Sequence, residues 1–239
     1  MDAKDRDKVT ITGDLYHHVV HVLRMKKGTR ICLADGNGLE YTGTICRVDD
    51  ESISVILEET RTAPATVSGP EITLFQGLPK MEKLELILQK CTELGAAGIV
   101  PFSAARSVAR VPPGRLEDKL TRWRRIAVEA SRQSNRISVP DIYFARDLAE
   151  VLRLATDSVK LLLWEEEKAG TLRKVLGELQ QPERIAVIVG PEGGLTAEEA
   201  ASAVQSGFIP VSLGTRIVRT ETAGLAILAI LQFYWGDMG

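Results

Sequence analysis

The sequence predicts an α/β fold built on a parallel sheet and preceded by a small β-rich domain. Strand, helix and strand patterns follow one another from Glu71 to Phe102, the order of a βαβ unit. A second strand, Ile185 to Val189, breaks at Gly190-Pro191 and Gly193-Gly194 and leads through Thr196 into a helix. About the first sixty residues read differently, as several strands with one short helix, which suggests a small barrel.

Taken in order, residues 1 to 8, MDAKDRDK, are charged and expected to be mobile. Val9 to Thr12 reads as a strand, and apolar residues at 15, 19, 22 and 23 mark one face of a helix from Leu15 to Met25. Arg30 to Ala34 and Tyr41 to Val48 read as strands joined by a hairpin at Asp35-Gly36-Asn37-Gly38, and Ser52 to Glu58 follows Asp49-Asp50. Residues 60 to 70, TRTAPATVSGP, fit a domain boundary, which divides the chain into 1–68 and 69–239. Beyond it, Glu71 to Gly77 is a strand. Lys80 to Leu94 is a helix burying Met81, Leu84, Ile87, Leu88, Cys91 and Leu94, and Gly95 ends it. Gly98 to Phe102 is the next strand, and Leu116 to Ser134 a helix with Leu116, Leu120, Trp123, Ala127 and Ala130 inward. Lys160 to Trp164 reads as a strand, Thr171 to Leu179 as a helix, and Ile209 to Leu213 as a strand. Thr196 with Glu199 makes a capping box for the helix that ends at Gly207. The last helix, Thr222 to Tyr234, is apolar almost all round and is expected to be buried on every side, with a hint of a subunit interface.

Composition narrows the function classes. Hydrophobic residues make up 44% and charged residues 26% of the 239, the balance of an ordinary soluble protein. No apolar stretch follows a basic start, and the run Ala223 to Trp235 is short and interrupted by Gln232, so neither a secretory signal nor a membrane span is expected and the location is read as cytoplasmic. Cys32, Cys46 and Cys91 are widely spaced and expected to be buried free thiols. His17 and His21 have i, i+4 spacing, yet no further ligand lies nearby, so surface histidines are preferred to a metal site. The net charge is −2, but nine Lys or Arg against three acids between Arg106 and Arg136 give that segment +6 and the remainder −8. A polyanion could bind such a face.

Chemistry concentrates in two stretches. The glycine turn after Val189 places bare backbone at the C-terminal end of a strand, where open α/β sheets bind ligands. Leu213 to Ala223, LGTRIVRTETA, sets Arg216 and Arg219 between an apolar strand and an apolar helix. Each alone is open to the plainer reading of a strand-to-helix turn; their joint appearance favours a site. No GxxxxGK[ST], GxSxG or GxGxxG pattern is present, and the turn has no lysine for phosphates. Its ligand is expected to be held by backbone amides and carbonyls reading an adenine edge. On the helix from Leu116, Arg122, Arg125, Glu129, Arg132 and Gln133 lie opposite the apolar face, with Arg136 beyond; either an ion-paired solvated face or phosphate contact fits.

GPEGGLTAEE at 190–199, LGTRIVRTETA at 213–223, KMEKLELILQKCTELGAAGIVP at 80–101 and RWRRIAVEASRQSNR at 122–136 together resemble the RsmE family of bacterial methyltransferases, over nearly the whole chain from Val9. The resemblance implies a PUA-like barrel followed by a SPOUT domain tied in a deep trefoil knot. It further implies a homodimer that uses S-adenosyl-L-methionine to methylate N3 of one uridine in 16S ribosomal RNA of the small subunit. By the same resemblance the cofactor lies against Leu163, Val189, Gly190, Leu213, Gly214 and Ile217, with Glu192 and Arg219 close by. Arg219 is then the group expected to stabilise the uridinate, with Glu221 or Glu192 to accept the proton or orient an arginine. Arg24, Arg106, Arg122, Arg125, Arg132 and Arg136 are candidates for RNA backbone contacts, and Gln133 and Asn135 for a base edge. Residues 1 to 8 depart from the family, whose members begin with a basic and aromatic strand of the form Arg-Arg-Phe-Phe. Two rival readings remain: a non-catalytic RNA-binding protein of the ribosome, and methyl transfer to ribose 2'-OH or to transfer RNA.

Overall fold

The structure, a computed structural model, describes residues 8–36, 39–62, 69–167 and 170–238. The charged start, Asn37-Gly38 of the hairpin turn and residues 63–68 of the expected boundary lie outside them. The chain divides into two compact units, 1–65 and 66–239.

The smaller unit holds β1 (Lys8–Thr12), α1 (Gly13–His17), β2 (Arg30–Ala34), β3 (Leu39–Val48) and β4 (Ser52–Thr62). All pairings are antiparallel, in the order β1-β4-β3-β2, and β3 bulges against β4 at Thr42/Gly43 and Ile45/Arg47. Ile11, Tyr16, Val19, Ile31, Ile45, Ile53 and Val55 form its core, and the Tyr16 hydroxyl donates to the Asp49 carbonyl at 2.9 Å. The expected single helix is instead α1 continued by a π-helical turn, His18–Val22, in which Leu23 N–H donates to His18 C=O. The wider turn rotates the later residues off the 3.6-residue stripe, so Val19 is buried while Val22 and Leu23 are exposed. Cys32 is exposed and Cys46 half-buried, so of the three expected buried thiols only Cys91 is inside.

The larger unit comprises β5 (Glu71–Gly77), α2 (Met81–Glu93), β6 (Gly98–Phe102), α3 (Leu116–Gln133), β7 (Asp141–Ile142), α4 (Leu148–Leu154), β8 (Val159–Leu163), α5 (Leu172–Glu178), β9 (Arg184–Val189), α6 (Ala197–Gln205), β10 (Ile209–Val211) and α7 (Thr220–Trp235). Among the described residues its six strands are all parallel, in the order β10-β8-β9-β5-β6-β7. Both faces are covered, which is why β9 reads as an unbroken apolar run: Ile185, Val187 and Val189 face a core shared with α2, α3, α5 and α7, and Ala186 and Ile188 face one shared with α4 and α6. β7 and α4 escape the periodicity argument because they span two and seven residues; the Asp147 carboxylate accepting Glu150 N–H at 2.8 Å was the available helix-start signal. α7 is not buried all round. It packs on α2, β5 and β9 through Ala223, Gly224, Ile227, Leu228 and Leu231, and leaves Ile230, Phe233 and Tyr234 exposed.

Three loops meet at the C-terminal ends of β8, β9 and β10. Ser212 is bracketed by the loop after β8, its N–H donating to Gly170 C=O at 2.9 Å and its carbonyl accepting Leu172 N–H at 3.1 Å. The chain then runs to the loop after β9, where the Thr220 hydroxyl donates to Gly190 C=O at 2.6 Å before α7 crosses to α2 and β5. The chain after β10 is thus held against two earlier loops, the arrangement that the expected trefoil-knotted SPOUT domain requires. Gln76, wholly buried at the end of β5, closes the arrangement: its amide nitrogen lies 3.0 Å from Gly77 C=O, 3.3 Å from Gly190 C=O and 2.9 Å from Thr220 Oγ1. Gln76→Leu keeps the volume but removes those donors, and should lower unfolding free energy by about 2 kcal/mol in urea denaturation.

Candidate active site

A cleft of about 360 Å³ opens where the three loops meet. Leu163 ends β8, Val189 ends β9 and Val211 ends β10, so its floor is strand-end backbone. Two glycines let the walls close in. Gly194 has φ +68°, and a Cβ there would lie 2.9 Å from Glu165 Oε1; Gly190 abuts Gly194 and Leu195. Gly214, with φ +121°, turns the chain after β10. The cleft brings together all eight expected cofactor residues: Leu163, Val189, Gly190, Glu192, Leu213, Gly214, Ile217 and Arg219. Arg216 and Arg219 are exposed on its wall, with no ion pair among the described residues.

The turn after β9 is held from both sides. Thr196 Oγ1 accepts Glu199 N–H at 3.1 Å and Glu199 Oε2 accepts Thr196 N–H at 2.9 Å, the reciprocal capping box that starts α6. The second oxygen of Glu199 accepts Ala105 N–H at 2.8 Å, tying α6 to the loop after β6. From that loop Arg106 donates to the carbonyls of Gly193 at 3.2 Å and Leu195 at 3.4 Å.

Glu192, Glu221 and a residue the sequence argument passed over, Lys83, form one charged cluster. Lys83 Nζ lies 3.3 Å from Glu192 Oε1 and 3.2 Å from Glu221 Oε2, and Glu192 Oε1 also accepts Lys80 N–H at 3.2 Å at the start of α2. Glu221 Oε2 is buried, and its contact is this ion pair rather than an aligned hydrogen bond. Burial pushes the Glu192 carboxyl up, but the backbone N–H of Lys80, its own N–H and the Lys83 ammonium outweigh that and hold it below the usual glutamate value. Lys83 is raised, first by Glu221 and, against some desolvation, by Glu192 as well. Lys83 and Glu192 line the cleft, while Glu221 does not. The available signal for Lys83 was its place inside the quoted motif at 80–101, one residue off the apolar stripe of α2.

Several of the candidate RNA contacts are already committed within the protein. Arg122 forms a two-pronged pair with Glu85, both contacts at 2.8 Å. Arg132 lies 3.6 Å from Glu129, whose other side accepts Gln133 at 3.3 Å, and Arg125 also has an interaction within the protein. Arg136 donates to Thr92 C=O at 2.5 Å, and burial lowers its guanidinium despite Asp237. Asn135, with φ +55°, occupies the left-handed position after α3. Arg24, in the smaller unit, is exposed with φ +53°. Among the described residues no three His, Cys, Asp or Glu gather as a metal site, and no helix is long and apolar enough to cross a membrane.

Comparison with known proteins places this geometry. A family described as RNA methyltransferase domain matches residues 67–232, and one described as RNA methyltransferase PUA domain matches residues 11–58. Ribosomal RNA small subunit methyltransferase E of Bacillus subtilis (strain 168) is 33% identical over 233 residues, spanning 94% of this chain and 89% of that protein. The protein of the same name from Mycobacterium tuberculosis is 30% identical, spanning 94% and 87%. Among solved structures, the small subunit methyltransferase E of Neisseria gonorrhoeae bound to S-adenosyl methionine superposes with a TM-score of 0.85 at 32% identity, covering 97% of this chain and 94% of that one. A methyltransferase of Legionella pneumophila in complex with the same cofactor gives 0.87 at 31%, covering 99% and 96%.

The depressed Glu192 pKa has a definite sign. Its contribution to stability is present above the unfolded glutamate value of about 4.3 and is lost as the pH falls through the lower folded value. Wild-type protein should therefore melt higher than Glu192→Gln at neutral pH, and the gap between their melting temperatures should close as the pH drops from about 5 to about 3.

Proposed function

The chain belongs to the ribosomal RNA small subunit methyltransferase E family, and from that premise we propose that it transfers the methyl group of S-adenosylmethionine to N3 of one uridine in 16S ribosomal RNA of the small subunit. The observation that carries the reading is the cleft where three strand ends meet, walled mainly by two of the four motifs that bear the family resemblance. Its residues suit the cofactor. Strand-end backbone and glycines leave room for a flat adenine, Leu163, Val189, Leu213 and Ile217 offer apolar cover, and Glu165 and Glu192 face the cleft as anions for a cationic ligand. Bound S-adenosylmethionine supplies an electrophilic methyl on a positively charged sulfur.

The protein must then deal with the nucleophile, because uracil N3 carries a proton and the base becomes anionic as that proton leaves. Arg219, exposed and without an ion pair among the described residues, is the group we assign to the developing charge, with Arg216 beside it. Glu192 is a weakened proton acceptor, since Lys80 N–H and Lys83 already engage it. Residues 1–68 form the PUA-like RNA-binding domain in this reading and 69–239 the catalytic one. The exposed apolar residues Ile230, Phe233 and Tyr234 of α7 suit a homodimer, and a ribosomal RNA substrate fits a cytoplasmic location.

Labelled methyl transfer from S-adenosylmethionine to small subunits from cells lacking the protein, followed by nucleoside analysis, tests the reading. Appearance of 3-methyluridine at one position is expected; 2'-O-methylation, or RNA binding with no transfer, would overturn it. Arg219→Ala should lower kcat by about a hundredfold. Arg132→Ala should reduce the slope of log binding constant against log salt by about one while leaving kcat unchanged.

A further inference from the structure

Lys83 sits where a cation is disfavoured. It is the third residue of α2, within the turn where the helix N-terminus is positive. Anions belong there, and Glu192 already answers that need by accepting Lys80 N–H. The ammonium is nevertheless retained, gripped by two carboxylates that reach it from different places: Glu192 from the loop after β9 and Glu221 from the first turn of α7. Capping α2 would call for neither the lysine nor the second carboxylate. What the pair does accomplish is to keep a primary ammonium charged and fixed in orientation on the wall of the cleft.

Resting on the methyltransferase reading, we propose that Lys83 is a catalytic residue that donates a hydrogen bond to a uracil carbonyl oxygen and stabilises the uridinate. An ammonium has three N–H groups. Glu192 and Glu221 hold the ammonium as ion pairs at 3.3 and 3.2 Å, which leaves an N–H to serve the base. In the step, the N3–H bond breaks and its proton passes to water. The N3 lone pair forms the new N–C bond, the C–S bond breaks, and its electron pair stays on sulfur. Negative charge delocalised from N3 onto the flanking carbonyl oxygens is met by a donor already fixed before reaction, the arrangement in which electrostatic stabilisation is most effective. Arg219 approaches from the segment after β10 and Lys83 from α2, so the two cations are independent contributors from separate elements. Glu221 acts through Lys83, because it contacts the ammonium without lining the cleft.

Lys83→Met, Lys83→Gln and Lys83→Arg can be compared with wild type on RNA carrying uridine and on RNA carrying 5-fluorouridine, whose N3 proton is more acidic and needs less help. Cofactor affinity is measured by calorimetry on the same preparations. Wild type should transfer methyl to uridine RNA. Lys83→Met and Lys83→Gln should lose about a hundredfold in kcat on uridine with cofactor affinity unchanged, and recover most of that loss on 5-fluorouridine. Lys83→Arg, which keeps the charge, should retain the wild-type ratio of rates on the two RNAs. An equal loss on both RNAs, or a loss that follows weakened cofactor binding, would assign Lys83 a structural role and overturn the proposal. Lys83→Gln, which keeps a polar N–H donor beside the carboxylates, decides the matter if Lys83→Met does not fold. Absence of transfer by wild type itself would instead remove the methyltransferase reading, and this inference with it.

Discussion

The larger unit depends on one buried amide. Gln76 stands at the end of the central strand β5 with no exposed surface, and its nitrogen serves Gly77, Gly190 and Thr220. A buried amide nitrogen costs free energy unless it is bonded, so this nitrogen specifies which backbone carbonyls and which hydroxyl must come to it, although the amide oxygen has no partner among the described residues. The turn after β9 and the start of α7 are thereby set against the same point of the sheet. Gly77 enforces the approach sterically, since a Cβ there would lie 2.6 Å from Pro191. The cleft is the space left when three loops are pinned in this way, which explains why a site of bare backbone can hold a defined shape.

Charge is used differently around that frame than a count of residues suggests. The segment from Arg106 to Arg136 is strongly basic, yet Arg106 braces the glycine turn, Arg122 is paired with Glu85 and Arg136 holds the C-terminal end of α2 through Thr92. Much of the basic excess is therefore structural before it is electrostatic. Arg216 and Arg219 contribute little to a charge map of the sequence, but they stand on the cleft wall without an ion pair among the described residues. A guanidinium already committed to a carboxylate must give up that contact to serve a phosphate, whereas an uncommitted one does not.

Strands with buried faces were legible because burial writes itself as composition: β2, β5 and β6 have the bounds that their apolar runs and flanking turns imply. The capped start of α6 was legible too, since Thr196 and Glu199 carry a local hydrogen-bond signature independent of the rest of the fold. Features that depend on distant partners were not. Lys83 looks like any solvated lysine until Glu192 and Glu221, more than a hundred residues away, are brought to it. The π-helical turn after α1 is invisible to a 3.6-residue period, and the exposed stripe of α7 cannot be separated from its buried one when both are apolar. The knot belongs to the same class. It followed from resemblance alone, because nothing local in residues 212–220 records that they pass between two other loops.

The bracketing of Ser212 by Gly170 and Leu172 also governs the life history of the molecule. Residues 220–235 leave the ribosome after every loop they thread past, so the cleft cannot close on the nascent chain until that last helix has been drawn into place. Contacts joined over such long sequence separations are slow to form. They are equally slow to lose, because unfolding must withdraw the helix through the same opening. Resistance to degradation should then reside in the rate of unthreading rather than in the depth of the free-energy minimum.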